Sequence, residues 1–179
     1  MNNMTLEKQQ FQHLLFKVAF CTIACDGHID EMEIKEMKAL DKASIYFKDI
    51  DLSVELDDLL VTLKEKGKHI IDDLYAYLKA TKLNPVQELL ILEVAFRLAM
   101  ANKEMDENEI KFIRFLRSHL DLHDEIIRDR FGAVEYLFDK DYSQDIVKSE
   151  THSDLLSTIS IPELKEIQTI DFSSFKDEK

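Results

Sequence analysis

The sequence predicts an all-α protein, and three observations carry that expectation. Three Gly and two Pro among 179 residues leave few helix breakers, while Leu, Lys, Glu, Ala and Met supply helix formers throughout. The segment Phe16–Lys35, an apolar run followed by an acidic turn, reappears as Leu92–Lys111, so that each copy needs a partner to bury its apolar face. Helix start signals then divide the chain at regular intervals, and no convincing run alternates in the manner of a strand.

The first helix spans about Thr5 to Cys25, with Phe11, Leu14, Leu15, Val18, Ala19 and Ile23 at helical spacing. It ends where Gly27 can adopt a left-handed cap. Asp30 caps the second helix, Asp30-x-x-Glu33 being a variant of the capping box, and Ile34, Met37 and Leu40 form its buried stripe. A third helix begins at Ser53 and carries Leu56, Leu59, Leu60 and Leu63. Gly67 breaks the chain before a fourth with Ile70, Ile71, Leu74, Tyr77 and Leu78.

Asn84-Pro85-Val86-Gln87 is the clearest start, an N-cap followed by proline at the first helical position and a glutamine that reaches back. The helix it opens, Pro85 to about Ala101, is apolar nearly all round and therefore belongs in the centre, packed against its repeat mate, the first helix. Asp106-x-x-Glu109 starts a sixth helix with Ile110, Ile113 and Leu116. Asp121-x-x-Asp124 starts a seventh with Ile126, Ile127, Phe131, Val134 and Leu137.

The helical domain thus covers 5–140, with repeats at about 11–42 and 87–118. Residues 141–179 form a largely irregular extension with one short helical stretch at 162–167. Its scattered Ile161, Leu164, Ile167, Ile170, Phe172 and Phe175 suit a strap on the helical body better than a free arm.

A net charge of −13 argues against nucleic acid and anionic lipid, because phosphate binding needs clustered Lys and Arg. Cations or basic protein surfaces are the better partners. No segment has the length of a membrane span or the pattern of a signal peptide, so the expected location is the cytoplasm. Cys21 and Cys25 sit within an apolar helical pattern, as small core residues of a reducing compartment.

Helix capping explains Asp30, Glu31, Glu33, Asp106, Glu107 and Glu109 without further function. Asp26 differs, because it stands at the negative end of the first helix and faces other acids across a short turn, an arrangement a bound cation would relieve. Residues 26–33 match the second half of an EF-hand loop, but Thr22 and Ala24 occupy the places of its leading acidic ligands. An autonomous calcium loop is therefore not expected.

A helix with small residues, Asp26-Gly27, an apolar residue, Asp30, two residues and Glu33, present twice in a helical setting, resembles the TerB family of tellurite-resistance proteins and TerB-like domains over roughly Phe11 to Phe138. The resemblance implies a compact bundle of about seven helices with pseudo-twofold symmetry, and an acidic metal-binding surface. It assigns Asp26, Asp30 and Glu33 to the metal from the first copy, and Asp106 and Glu109 from the second. Asn102-Lys103 departs from the Asp-Gly of the family pattern. An all-oxygen set suits calcium or magnesium rather than zinc. The family also implies a binding or scaffold role in bacterial stress, tellurite resistance or defence.

Catalytic motifs do not emerge. None of the six His follows a Glu by three positions, as a di-iron bundle requires, and there is no nucleophile elbow or glycine-rich phosphate loop. His119 and His123 have ligand-like spacing, but Asp121 would start a helix between them, which makes them surface histidines. The sequence therefore points to a non-enzymatic module that binds a divalent cation and a protein partner. The alternative is a metal-free module whose acidic face and tail bind a basic protein.

Overall fold

The computed structural model describes residues 3–25, 27–43, 45–134 and 137–138. They form seven α-helices and no strand: α1 (Asn3–Ala24), α2 (Glu31–Lys42), α3 (Leu52–Lys66), α4 (Ile70–Ala80), α5 (Pro85–Ala99), α6 (Glu107–Ser118) and α7 (Asp124–Phe131). A 3-10 turn, Gly67–His69, joins α3 to α4. Among the described residues no helix is long and apolar enough to cross a membrane. The expected extension beyond residue 140 lies outside the described residues.

The core is built on α1 and α5. From Phe11 onward α1 offers little to water: Leu14, Leu15, Val18, Ala19, Phe20 and Ile23 are fully buried, as are Ile91, Leu92, Val94, Ala95, Leu98 and Ala99 of α5. Two helices this apolar must cover one another, and α1 and α5 make the most extensive helix contact in the fold. The amphipathic helices close over them. α2 packs on α5, α6 packs on both α1 and α5, and α3 and α4 pack on α1. The second helix of each repeat thus reaches the first helix of the other, but α6 packs more on α5 of its own repeat, a contact that α1 and α2 do not match.

Local chemistry sets most helix starts. Asp30, Asn84 and Asp106 each cap a helix in a reciprocal capping box with Glu33, Gln87 and Glu109. Two starts differ from the sequence expectation. The third helix is capped by Asp51, whose Oδ1 accepts from both the Ser53 amide and hydroxyl, so that Ser53 lies inside the helix. The seventh begins at Asp124 rather than just after Asp121, because the Asp121 amide donates to Glu88 Oε1 (3.2 Å) and Arg117 holds both the Leu120 carbonyl and the Asp124 carboxylate. It also ends early, at Gly132 with φ 77°, a conformation that costs glycine little; Leu137 reaches the core beyond that turn.

Two buried polar side chains occupy equivalent positions of the repeat. Gln12 accepts from the Asp49 amide through Oε1 (2.8 Å) and donates to its carboxylate through Nε2 (3.2 Å); Glu88 accepts from the Asp121 amide. Each satisfies a loop that follows the second helix of its repeat, and so ties that loop to the central pair. Burial raises the Glu88 pKa above its ordinary 4.5 and the Asp121 carboxylate adds to the rise, while the Asp121 amide and Arg117 act against it.

Two outcomes follow from this core. Phe16, which meets Phe47 edge to face at 5.6 Å, should lose about 3–5 kcal/mol of unfolding free energy on substitution by Ala, against less than about 0.5 for Val61→Ala on the exposed side of α3, as read by urea unfolding. For Glu88, the folded pKa lies above the unfolded one, so its contribution is present at pH below the unfolded value and lost as pH rises through the folded one. Glu88→Gln keeps the acceptor for the Asp121 amide. Its melting temperature should therefore match the parent near pH 4 and exceed it at pH 7; a pH-independent difference would contradict this origin.

Candidate functional site: the paired acidic turns

The turns that follow α1 and α5 reverse the chain in the same way. Gly27 and Lys103, at equivalent positions, both take positive φ, 84° and 71°, and their amides donate to the Ala24 and Met100 carbonyls at 3.3 and 3.0 Å. Left-handed backbone is nearly free for glycine and costs other residues about 1–2 kcal/mol, so Lys103 needs support. Asn102 supplies it by accepting from the Glu104 amide at 3.1 Å, an Asx turn.

Asn102 also joins the two turns. Its Nδ2 donates to Asp30 Oδ2 at 3.3 Å, across 72 residues of sequence. Around this bond the exposed acids Glu31, Glu104, Asp106 and Glu107 share one end of the bundle with His28 and Lys103. Lys111 pairs with Glu107 at 3.0 Å, one turn along α6.

The residues assigned to a metal divide as follows. Asp30 Oδ1 accepts from the amides of Met32 (2.7 Å) and Glu33 (2.9 Å), and Glu33 Oε2 accepts from the Asp30 amide (2.9 Å). Asp106 Oδ1 accepts from the Glu109 amide and Glu109 Oε2 from the Asp106 amide, both at 2.8 Å. Glu33 and Glu109 are buried beneath their caps. Asp26, the counterpart of Asn102 in the repeat, lies outside the described residues. Among the described residues no group of three or more His, Cys, Asp and Glu is placed to hold a metal ion.

Other candidates have structural surroundings. Cys21 and Cys25 are buried, and burial pushes the Cys21 thiol up to about 12, so it carries no thiolate at neutral pH. His119 is half-buried rather than a surface residue, its ring 4.6 Å from that of Tyr75 and 4.7 Å from that of Phe115. His123 takes the N-cap position of α7. An open hollow of about 570 Å³ lies between the starts of α1 and α5 and the end of α4, lined by Phe11, Tyr77, Thr81, Leu83 and the capping pair Asn84 and Gln87. It stands at the other end of α1 from the acidic turns.

Sequence reasoning missed one polar network on α5. Tyr46 donates to Glu93 (2.9 Å), Arg130 also binds Glu93 (2.6 Å), and the Arg97 guanidinium pairs with Glu36 (2.6 Å) beside the Tyr46 hydroxyl. Burial and the Glu93 carboxylate raise the Tyr46 pKa. The signal was Arg97 itself, a lone cation within an apolar helix whose repeat counterpart is Cys21. Glu36 and Tyr46 carried no signal that would join them to it. No family model, curated protein or solved structure matches the chain.

Both caps should be measurable. Asp30→Ala and Asp106→Ala should each lower unfolding free energy by about 1 kcal/mol, and Asn102→Ala by less. A double-mutant cycle between Asp30 and Asn102 should give a non-zero coupling, whereas Asp106 and Asn102 should be additive if the bridging bond is the one that matters.

Proposed function

We propose that this chain is an acidic, helical binding module of TerB-like character that engages a basic protein surface through its paired turns, in a bacterial stress, tellurite-resistance or defence setting. The observation that carries the reading is the Asn102–Asp30 bond, which unites two acidic turns into one surface. The caps consume the buried carboxylates and leave Glu31, Glu104 and Glu107 exposed, the last paired with Lys111, on backbone that the caps fix in advance of a partner. The duplicated helix, acidic turn and helix supports the likeness to TerB domains. Exposed carboxylates on fixed backbone favour rapid, salt-sensitive encounter with clustered Lys and Arg. Binding rather than catalysis is the proposed activity.

A second reading keeps a divalent cation, calcium or magnesium, at Asp26 with Asp30, Glu33, Asp106 and Glu109. What favours it is the same closeness of the two turns, since Asp30 turns one oxygen toward the second copy.

One titration series separates these readings. A lysine-rich peptide should bind the parent with an affinity that falls as salt rises, and Glu31→Gln, Glu104→Gln, Glu107→Gln should weaken it by about tenfold. The same charge change on α3, Asp57→Asn, Asp58→Asn, Glu65→Gln, should leave most of the affinity. Equal losses in the two triple variants would reduce the binding to general charge attraction. A melting-temperature rise with millimolar Ca²⁺ or Mg²⁺ that disappears in Asp26→Asn would instead support the cation.

A further inference from the structure

The place where α2 meets α5 leaves two large apolar side chains in water at the end that carries the acidic turns. Arg97 pairs with Glu36 at 2.6 Å, and Asn102 donates to Asp30 at 3.3 Å. Between these contacts the two segments run in opposite directions, from 97 up to 102 on one side and from 36 down to 30 on the other. Met100, the C-cap of α5, stands one turn beyond Arg97, and Met32 stands one turn before Glu36, so both fall in the interval that the two contacts bracket. They are 49% and 47% exposed.

The other repeat has no such pair. There Cys21 and Phe112 stand where Arg97 and Glu36 do, and Ala24 and Asn108 stand where Met100 and Met32 do. Cys21, Ala24 and Phe112 are buried, and Asn108 is a half-buried amide. The methionines are therefore not a consequence of the duplicated frame, which accepts a small residue and a polar one at the same positions. Carboxylates surround them: Glu31 precedes Met32 in the first turn of α2, and Glu104 and Glu107 follow Met100 through the second turn, with Lys35 and Lys103 also exposed and Lys111 held by Glu107. Methionine is flexible and polarizable, and adapts to apolar partners of varied shape. A partner made only of Lys and Arg would answer the carboxylates and leave both methionines wet; one that also carries large apolar residues answers both.

Resting on the reading of the paired turns as a docking surface for basic protein, we infer that the partner is a basic amphipathic segment whose apolar residues cover Met32 and Met100 while its Lys and Arg meet Glu31, Glu104 and Glu107. The carboxylates draw the segment in, and the methionine pair selects among basic sequences for those with apolar side chains.

Calorimetric titration of the full-length chain with two peptides of equal length and equal charge tests this, one built of Lys and Ser, the other with Leu and Phe in place of the Ser. The amphipathic peptide should bind about tenfold more tightly, and its affinity should fall less steeply with salt. Met32→Gln with Met100→Gln should erase that preference and leave the lysine–serine peptide unchanged. The matched pair Val54→Gln with Val61→Gln, on α3 where both valines are more than half exposed, should change neither peptide. Equal affinities for the two peptides, a preference that survives in the methionine variant, or one lost equally in the valine variant overturns the inference and leaves the acidic docking surface in place. Failure of both peptides to bind removes that surface and the inference together.

Discussion

The packing of α1 against α5 is the constraint on which the rest of the structure depends. Both helices are apolar on most of their circumference, and a fully buried Leu, Ile or Phe contributes about 1.5–3 kcal/mol relative to an exposed one, so the pair gains by association far more than either gains from helix propensity. Once they pair, their C-terminal ends lie at one end of the bundle. The turns that follow are brought within hydrogen-bonding distance, and Asn102 can reach Asp30. The candidate site is in this sense a by-product of core packing, made from backbone that the helices deliver and from caps that hold it.

The two repeats share their geometry and differ in what surrounds it. Gln12 and Glu88 perform the same task on loops of different length, one as a neutral amide that uses both its donor and its acceptor, the other as a carboxylate that uses an acceptor alone. Position 21 is a buried cysteine, and its counterpart Arg97 is a cation held by Glu36 beside Tyr46. The face of α1 around Cys21 is buried, while that of α5 has a charged centre with Val86 and Met100 left at its ends. Asymmetry of this kind within a duplicated frame is where distinct partners for the two halves can arise.

Much of the fold was legible because its determinants are local. The capping boxes at Asp30, Asn84 and Asp106 are three-residue spacings, and the apolar runs of α1 and α5 announce burial on nearly every side. The start of α7 was not legible, since it depends on Glu88 taking the Asp121 amide from 33 residues away. Asp51 and Ser53 are both competent caps, and only the geometry of the chain entering α3 chooses between them. At the site, the acids of the turns stood out in the sequence, but that Asn102 bonds to Asp30 could not be read from spacing within either copy. Tyr46 lies in a segment without periodicity, so its place between Glu93 and Arg97 left no trace in the sequence.

Native-state amide hydrogen exchange tests the central pairing most directly. If α1 and α5 form one cooperative unit, the amides of Phe20 and Ile23 and those of Phe96 and Leu98 should exchange only through global unfolding, with one shared free energy equal to that from denaturant titration. The ends of α3 and α7 should open more readily. Exchange of one central helix at a free energy well below that of the other would show that the repeats open separately, and the account built on their pairing would fail.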